Sequence, residues 1–141
     1  MWPFSRRRTE SEGPLGRQGE KLAARFLRKL EYKPLAANYR CPAGEADLIV
    51  LDTSTRKQTG LETIVFVEVK TRRDVANVAP QAHVDAAKRR HLRSVARYYL
   101  AARDTRDFAV RFDIIAILAP HGAEPQINHI KNAFGFSGDR R

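Results

Sequence analysis

One stretch limits the fold of this chain more than any other, the ten residues 64–73. Its first four residues are all apolar and β-branched or aromatic, which predicts a strand buried on both faces of a sheet. Glu68 and Lys70 then follow two residues apart, so they point to the same face of that strand. Charges at the end of a core strand are costly to desolvate unless each has a partner. A simple Glu–Lys pair leaving the core would meet that requirement, and so would a functional site.

The composition predicts one globular domain with a basic surface. The chain has 141 residues, of which 43% are hydrophobic and 30% charged, and its net charge is +10. This excess indicates a polyanionic partner, nucleic acid before an anionic membrane surface, although a merely solvated basic surface would look the same. No apolar run approaches a membrane span, and no signal-like stretch follows the N-terminal arginines. Cys41 is the only cysteine, which excludes an intrachain disulfide and favours a reduced, cytoplasmic location.

Periodicity and turn residues predict the order helix, strand, strand, strand, helix, strand, strand. This order is typical of an α/β fold with a central mixed sheet flanked by helices. A single domain is expected over 15–136, between a flexible basic tail at 1–14 and a short basic tail at 137–141. The predicted helices and strands are helices 15–31 and 84–103 and strands 35–39, 45–52, 64–73, 108–118 and 126–131. Polar, flexible loops are expected over 53–60 and 74–83.

Three acidic residues are candidates for a shared site. Asp is disfavoured in strands, so Asp47 lies where local rules do not favour it. A hairpin of strands 45–52 and 64–73 would bring Asp47 beside Glu68. Glu20 lies at the border of the first helix's apolar stripe, from which its side chain could reach the same sheet edge. Alternatively, it could only stabilise the helix by interacting with the positive end of the helix dipole. Three carboxylates together require a cation, and such hard oxygen ligands suit Mg²⁺ or Mn²⁺. Lys70 could then orient a water or neutralise charge developing on phosphorus.

The second helix carries an unusual number of basic residues. Lys88 and His91 fall inside its apolar stripe. A stem that extends its ammonium to solvent would account for Lys88 there, and His91 is expected to be packed and hydrogen-bonded. The arginines assigned to the opposite face are Arg89, Arg90, Arg93 and Arg97. They could contact phosphates or form ordinary solvated surface. The candidate nucleic-acid contacts are Lys88, Arg89, Arg93, Arg72 and Arg73.

These motifs together resemble the PD-(D/E)xK nuclease superfamily. The resemblance is strongest to its small bacterial branch of uncharacterised, YraN-like proteins, which resemble Holliday-junction resolvases. It covers about residues 16–136, and one departure is Ala46, where the branch usually carries Ile. The matching segments are Gly19-Glu20, 38–40, 44–49, 65–72, Lys88, 111–113 and 127–130. Each motif alone is weak, and the combination is specific.

The resemblance implies a restriction-endonuclease-like core and a site for Mg²⁺ or Mn²⁺. Asp47 and Glu68 would be metal ligands, joined by the Val69 carbonyl and by Glu20. Lys70 would be the catalytic lysine, and Lys88 the polar residue directed at the site from the second helix.

The leading hypothesis is therefore a metal-dependent DNA endonuclease, with branched or damaged DNA among its candidate substrates. The alternatives are a non-catalytic nucleic-acid-binding module on the same fold and an interaction protein whose charges are only surface pairs. Paired cuts across a junction would require a homodimer, and no stretch of the sequence indicates its interface.

Overall fold

The computed structural model describes residues 13–74 and 84–136, in which five strands form one mixed sheet. The strands lie in the sheet in chain order, with β3 and β4 parallel and the other neighbours antiparallel. They are β1 (Lys33–Cys41), β2 (Gly44–Asp52), β3 (Glu62–Arg72), β4 (Phe108–Leu118) and β5 (Gln126–Phe134). The predicted α/β class and mixed sheet are confirmed, and the five strands and two long helices follow one another in the predicted order. The predicted tails and the predicted loop 74–83 lie almost entirely outside the described residues.

Two long helices cover the two faces of this sheet. Helix α1 (Pro14–Lys29) packs on one face and α3 (Ala86–Ala101) on the other, while α2 (Arg56–Thr59) is a single turn. The parallel pairing of β3 with β4 requires a crossover connection, which α3 supplies. Strand β3 is buried on both faces, since Val65 and Val67 pack towards α1 and Ile64 and Phe66 towards α3. No helix within 13–74 and 84–136 is long and apolar enough to cross a membrane.

The segment 53–60, predicted as a flexible loop, is instead regular. It forms a 3₁₀ turn over Thr53–Thr55 followed by α2. The cause is Asp52, whose Oδ1 accepts hydrogen bonds from the Ser54 amide at 3.0 Å and the Ser54 hydroxyl at 2.6 Å. A carboxylate at this position satisfies amide groups that the start of a helical turn leaves free.

The buried face of α3 differs from the predicted one. Arg93, predicted on the outer face, is 5% exposed, and its Nε donates to the Gly135 carbonyl at 2.6 Å. Its guanidinium also lies 5.4 Å from the ring centroid of Phe134. His91, predicted to be packed, is exposed. Both predictions are wrong. The end of β5 covers Arg93, which helical periodicity alone does not indicate.

A buried polar network fastens β4 to its neighbours on the α1 side. Arg111 Nη1 donates to Asp52 Oδ2 at 3.0 Å, and its Nε and Nη2 donate to the two oxygens of Asp113 at 2.9 and 3.0 Å. Arg111 Nη2 also donates to the Tyr32 hydroxyl at 2.9 Å. His129 Nε2 lies 2.8 Å from Asp113 Oδ2. Two of the motifs in the resemblance, 111–113 and 127–130, therefore meet in one internal network that satisfies buried charges.

Candidate active site

The charged end of β3 opens into a cleft of about 450 Å³. The start of β2 and the end of β3 meet there because the two strands are antiparallel, and both helices reach the cleft with their N-terminal turns. The charged residues that line it are Glu20, Asp47, Glu68, Lys70, Arg72 and Lys88. Val69 lines it as well. One cleft therefore contains the acids and lysines that the sequence singled out.

Asp47 and Glu68 are neighbours across the β2–β3 hairpin. The last ladder pair of these strands is Leu48 with Val67, so the next opposed positions are Asp47 and Glu68. The Val69 amide, one residue further on, donates to Asp47 Oδ2 at 2.8 Å. The aspartate side chain thus supplies an acceptor where the backbone ladder ends, which explains how a strand tolerates it. The hairpin geometry predicted from the sequence brings these two acids together.

The two carboxylates share a poorly solvated environment. Burial raises the pKa of Asp47 well above its ordinary value, and the negative charge of Glu68 raises it further. Glu68 is 8% exposed, and burial raises its pKa against the opposing influence of Lys88 and Lys70. Its Oε1 is buried and has no hydrogen-bond partner among the described residues. Facing carboxylates with an unpartnered buried oxygen form a pair that a cation would stabilise.

Two lysines bring positive charge to this pair. Lys88 extends from the first turn of α3, and its Nζ lies 3.5 Å from Glu68 Oε2. Desolvation lowers the pKa of Lys88, and the charges of Glu68 and Asp47 outweigh it, so that the pKa is raised. Lys70 lies two positions after Glu68 on β3 and lowers the pKa of that glutamate. Both lysines therefore remain suited to contact an anion that enters the cleft.

Glu20 lies at the α1 wall of the cleft, apart from the facing pair. Its Oε1 accepts a hydrogen bond from Asn38 Nδ2 at 3.0 Å, and its charge raises the pKa of Asp47. In the part of the chain that the structure describes, no three His, Cys, Asp or Glu side chains are close enough to hold one ion. The predicted convergence is thus two carboxylates with a third nearby. Sequence reasoning assigned Asn38 no role, although its place opposite Asp47 in the β1–β2 hairpin is a usable signal.

The donor set fits a small hard divalent cation. Mg²⁺ is usually held by one or two carboxylates and keeps several waters, which suits Asp47 and Glu68 better than a cage of many protein ligands. Glu68 Oε1 has no hydrogen-bond partner among the described residues, so it is available to contact such a cation. Among residues 13–74 and 84–136, neither His nor Cys lines the cleft, so the described side chains that could bind a metal there offer oxygen ligands.

The five candidate nucleic-acid contacts divide into three groups. Arg72 and Lys88 line the cleft. Arg73 donates to the backbone carbonyl of Ala119, just after β4, and Arg89 donates to that of Val84, just before α3. Arg93 is buried under β5, and its assignment to a nucleic-acid surface is therefore wrong.

Comparison with known proteins identifies relatives over most of the chain. The family model described as "Uncharacterised protein family UPF0102" matches residues 19–117. A UPF0102 protein of Geotalea daltonii is 44% identical over 120 residues, covering 85% of this chain and 88% of the relative. Corresponding proteins of Geotalea uraniireducens and Nocardia farcinica are 43% and 41% identical, with the same coverage.

Proposed function

The chain belongs to the uncharacterised protein family UPF0102, and we propose that it is a divalent-metal-dependent endonuclease that hydrolyses phosphodiester bonds in DNA. The proposal includes a restriction-endonuclease-like fold of the PD-(D/E)xK type. The observation that carries it is the facing pair of Asp47 and Glu68, with Lys70 and Lys88 in the same cleft. Gathering like charges that repel phosphate has little purpose in a protein that only binds nucleic acid.

The residues of the cleft supply separate parts of the proposed reaction. Asp47 and Glu68, with the Val69 carbonyl, would hold the ion. The chemistry that a bound divalent ion supplies is polarisation of the phosphoryl group and stabilisation of charge as the bond breaks. Lys70 would orient the attacking water or neutralise charge developing on phosphorus. Lys88 would help to orient the Glu68 carboxylate through their ion pair at 3.5 Å.

The charge of the protein supports a nucleic-acid substrate. A net charge of +10 favours association with phosphates and makes binding strongly dependent on salt. Arg72, at the rim of the cleft, is exposed and could contact a phosphate next to the one being cleaved. The outer face of α3 adds Arg90 and Arg97, both exposed, while residues 86–103 contain no acidic residue.

The test compares two Asp→Asn variants that change charge equally. Asp47→Asn removes one member of the facing pair, whereas Asp107→Asn changes an exposed residue just before β4, at the opposite end of the parallel β3–β4 pair. Asp47→Asn should abolish metal-dependent cleavage and leave DNA affinity intact, and Asp107→Asn should retain both. Cleavage by Asp47→Asn at the wild-type rate would overturn the proposal.

A further inference from the structure

The backbone of Asn38 is unusual for its place in the fold. Three of the described non-glycine residues have positive φ. One of them, Glu31, follows α1, and another, Asn132, lies near the end of β5. Asn38 has φ 51° inside β1 and is 3% exposed. Asn adopts this left-handed conformation more readily than most residues, yet it persists in a strand only where the surroundings fix it. Backbone outliers of this kind concentrate at functional sites.

The Asn38 side-chain amide contacts Glu20, which lines the cleft. The neighbours of Asn38 pair across β1–β2 as Ala37 with Leu48 and Tyr39 with Ala46, so Asn38 faces Asp47 without belonging to a ladder pair. Its Nδ2 donates to Glu20 Oε1 at 3.0 Å. A buried amide nitrogen requires an acceptor, and here the acceptor is a carboxylate carried by α1. This hydrogen bond connects β1, at the edge of the sheet, to α1 beside the cleft.

The consequence concerns how many carboxylates a bound ion meets directly. Glu20 lines the cleft but forms no three-acid group with Asp47 and Glu68 within residues 13–74 and 84–136. A cleft with two inner carboxylates suits Mg²⁺, which keeps several waters, whereas Ca²⁺ takes six to eight oxygen ligands. A third carboxylate free to swing inward would favour the larger ion.

We propose that Asn38 is a positioning residue that holds Glu20 out of direct coordination and so sets the preference of the cleft for Mg²⁺ over Ca²⁺. The inference rests on the proposed function, because it requires that the Asp47–Glu68 pair bind a divalent cation. Asn38 itself contacts neither the ion nor the substrate.

The test is calorimetric titration of the full chain with Mg²⁺ and with Ca²⁺ at fixed pH and ionic strength. Asn38→Gly keeps a residue that tolerates positive φ and removes the amide. It should raise the Ca²⁺/Mg²⁺ affinity ratio by about tenfold, the size typical of changes around metal ligands. The double variant Asn38→Gly/Glu20→Gln should return the ratio to the wild-type value, because the released carboxylate is gone.

The matched control is Asn132→Gly, the same substitution at another left-handed Asn, φ 56°, which is exposed on β5. It should leave the ratio unchanged, and so should Glu20→Gln alone, which keeps the inference testable even if Asn38→Gly does not fold. An unchanged ratio in a folded Asn38→Gly, or a lowered Ca²⁺/Mg²⁺ affinity ratio in Glu20→Gln alone, would overturn it. If the wild-type chain binds neither ion, the metal-dependent function itself fails, and the inference fails with it.

Discussion

Helix α1 lies close against β3 at Gly19, next to the cleft. A Cβ added there would lie 1.9 Å from Thr71 Oγ1, 3.0 Å from Thr71 Cβ and 3.1 Å from Thr71 Cγ2. Rotation of the Thr71 side chain would move Oγ1, but Cβ is fixed to the strand backbone. Gly19→Ala must therefore push α1 away from β3. Ala at a helix interior position would by itself stabilise the helix by about 1 kcal/mol relative to Gly.

Steric overlap in a packed core typically costs about 1–3 kcal/mol, so it outweighs the helix propensity. We expect Gly19→Ala to lower the free energy of unfolding in urea by up to about 2 kcal/mol. Thr71→Ala removes two of the three contacting atoms. The double variant should be more stable than the sum of the single changes predicts, by about 1 kcal/mol. A stabilised Gly19→Ala with no coupling to Thr71 would refute the close packing of α1 on β3.

Three further predictions concern the buried network and the acidic pair. Arg111→Met should lower the free energy of unfolding by about 3–5 kcal/mol in urea, because it removes the positive charge beside two buried carboxylates; a loss below about 1 kcal/mol would contradict the network. Burial would raise the pKa of Asp113, but hydrogen bonds from His129 and Arg111 outweigh it and hold the pKa below its ordinary value. The stabilisation is thus present above about pH 4 and is lost as the pH falls through the lowered pKa. Unfolding followed by circular dichroism should show that Asp113→Asn is less stable than the wild type at pH 7 and that its stability depends less on pH below about pH 4. An acid transition unchanged from that of the wild type would refute this. Mg²⁺ at about 100 times its Kd should raise the free energy of unfolding of the wild type by about 2.7 kcal/mol, as measured by thermal unfolding. Glu68→Gln should show no such stabilisation, and an equal stabilisation in that variant would place the ion elsewhere.

Local sequence patterns were sufficient to predict the strands and the facing pair of Asp47 and Glu68. The apolar run before Glu68 predicts a doubly buried strand, and β3 is one. Antiparallel pairing places the start of β2 beside the end of β3, so hairpin geometry brings Asp47 beside Glu68 once the face is chosen. Both inferences depend on residues that are close in sequence or lie on two consecutive strands.

Contacts between distant elements could not be predicted in the same way. The burial of Arg93 depends on where β5 ends, 42 residues away along the chain. The contact between Glu20 and Asn38 depends on a left-handed residue within a strand, which neither propensity nor alternation indicates. Because such contacts arise from tertiary packing, the sequence could place Glu20 near the site but not determine whether it joins the facing pair.

Cleavage of DNA in the presence and absence of divalent metal tests the central claim most directly. Single-stranded, duplex, flap and four-way-junction DNA would be incubated with Mg²⁺, Mn²⁺ or EDTA and with the wild type, Lys70→Ala or Lys57→Ala. Lys57 is an exposed residue of α2 and provides the same change of charge outside the cleft. We predict that at least one DNA shape is cleaved with metal, that EDTA and Lys70→Ala abolish cleavage, and that Lys57→Ala does not. Binding without cleavage of all four shapes under either metal would contradict the nuclease and favour a nucleic-acid-binding module.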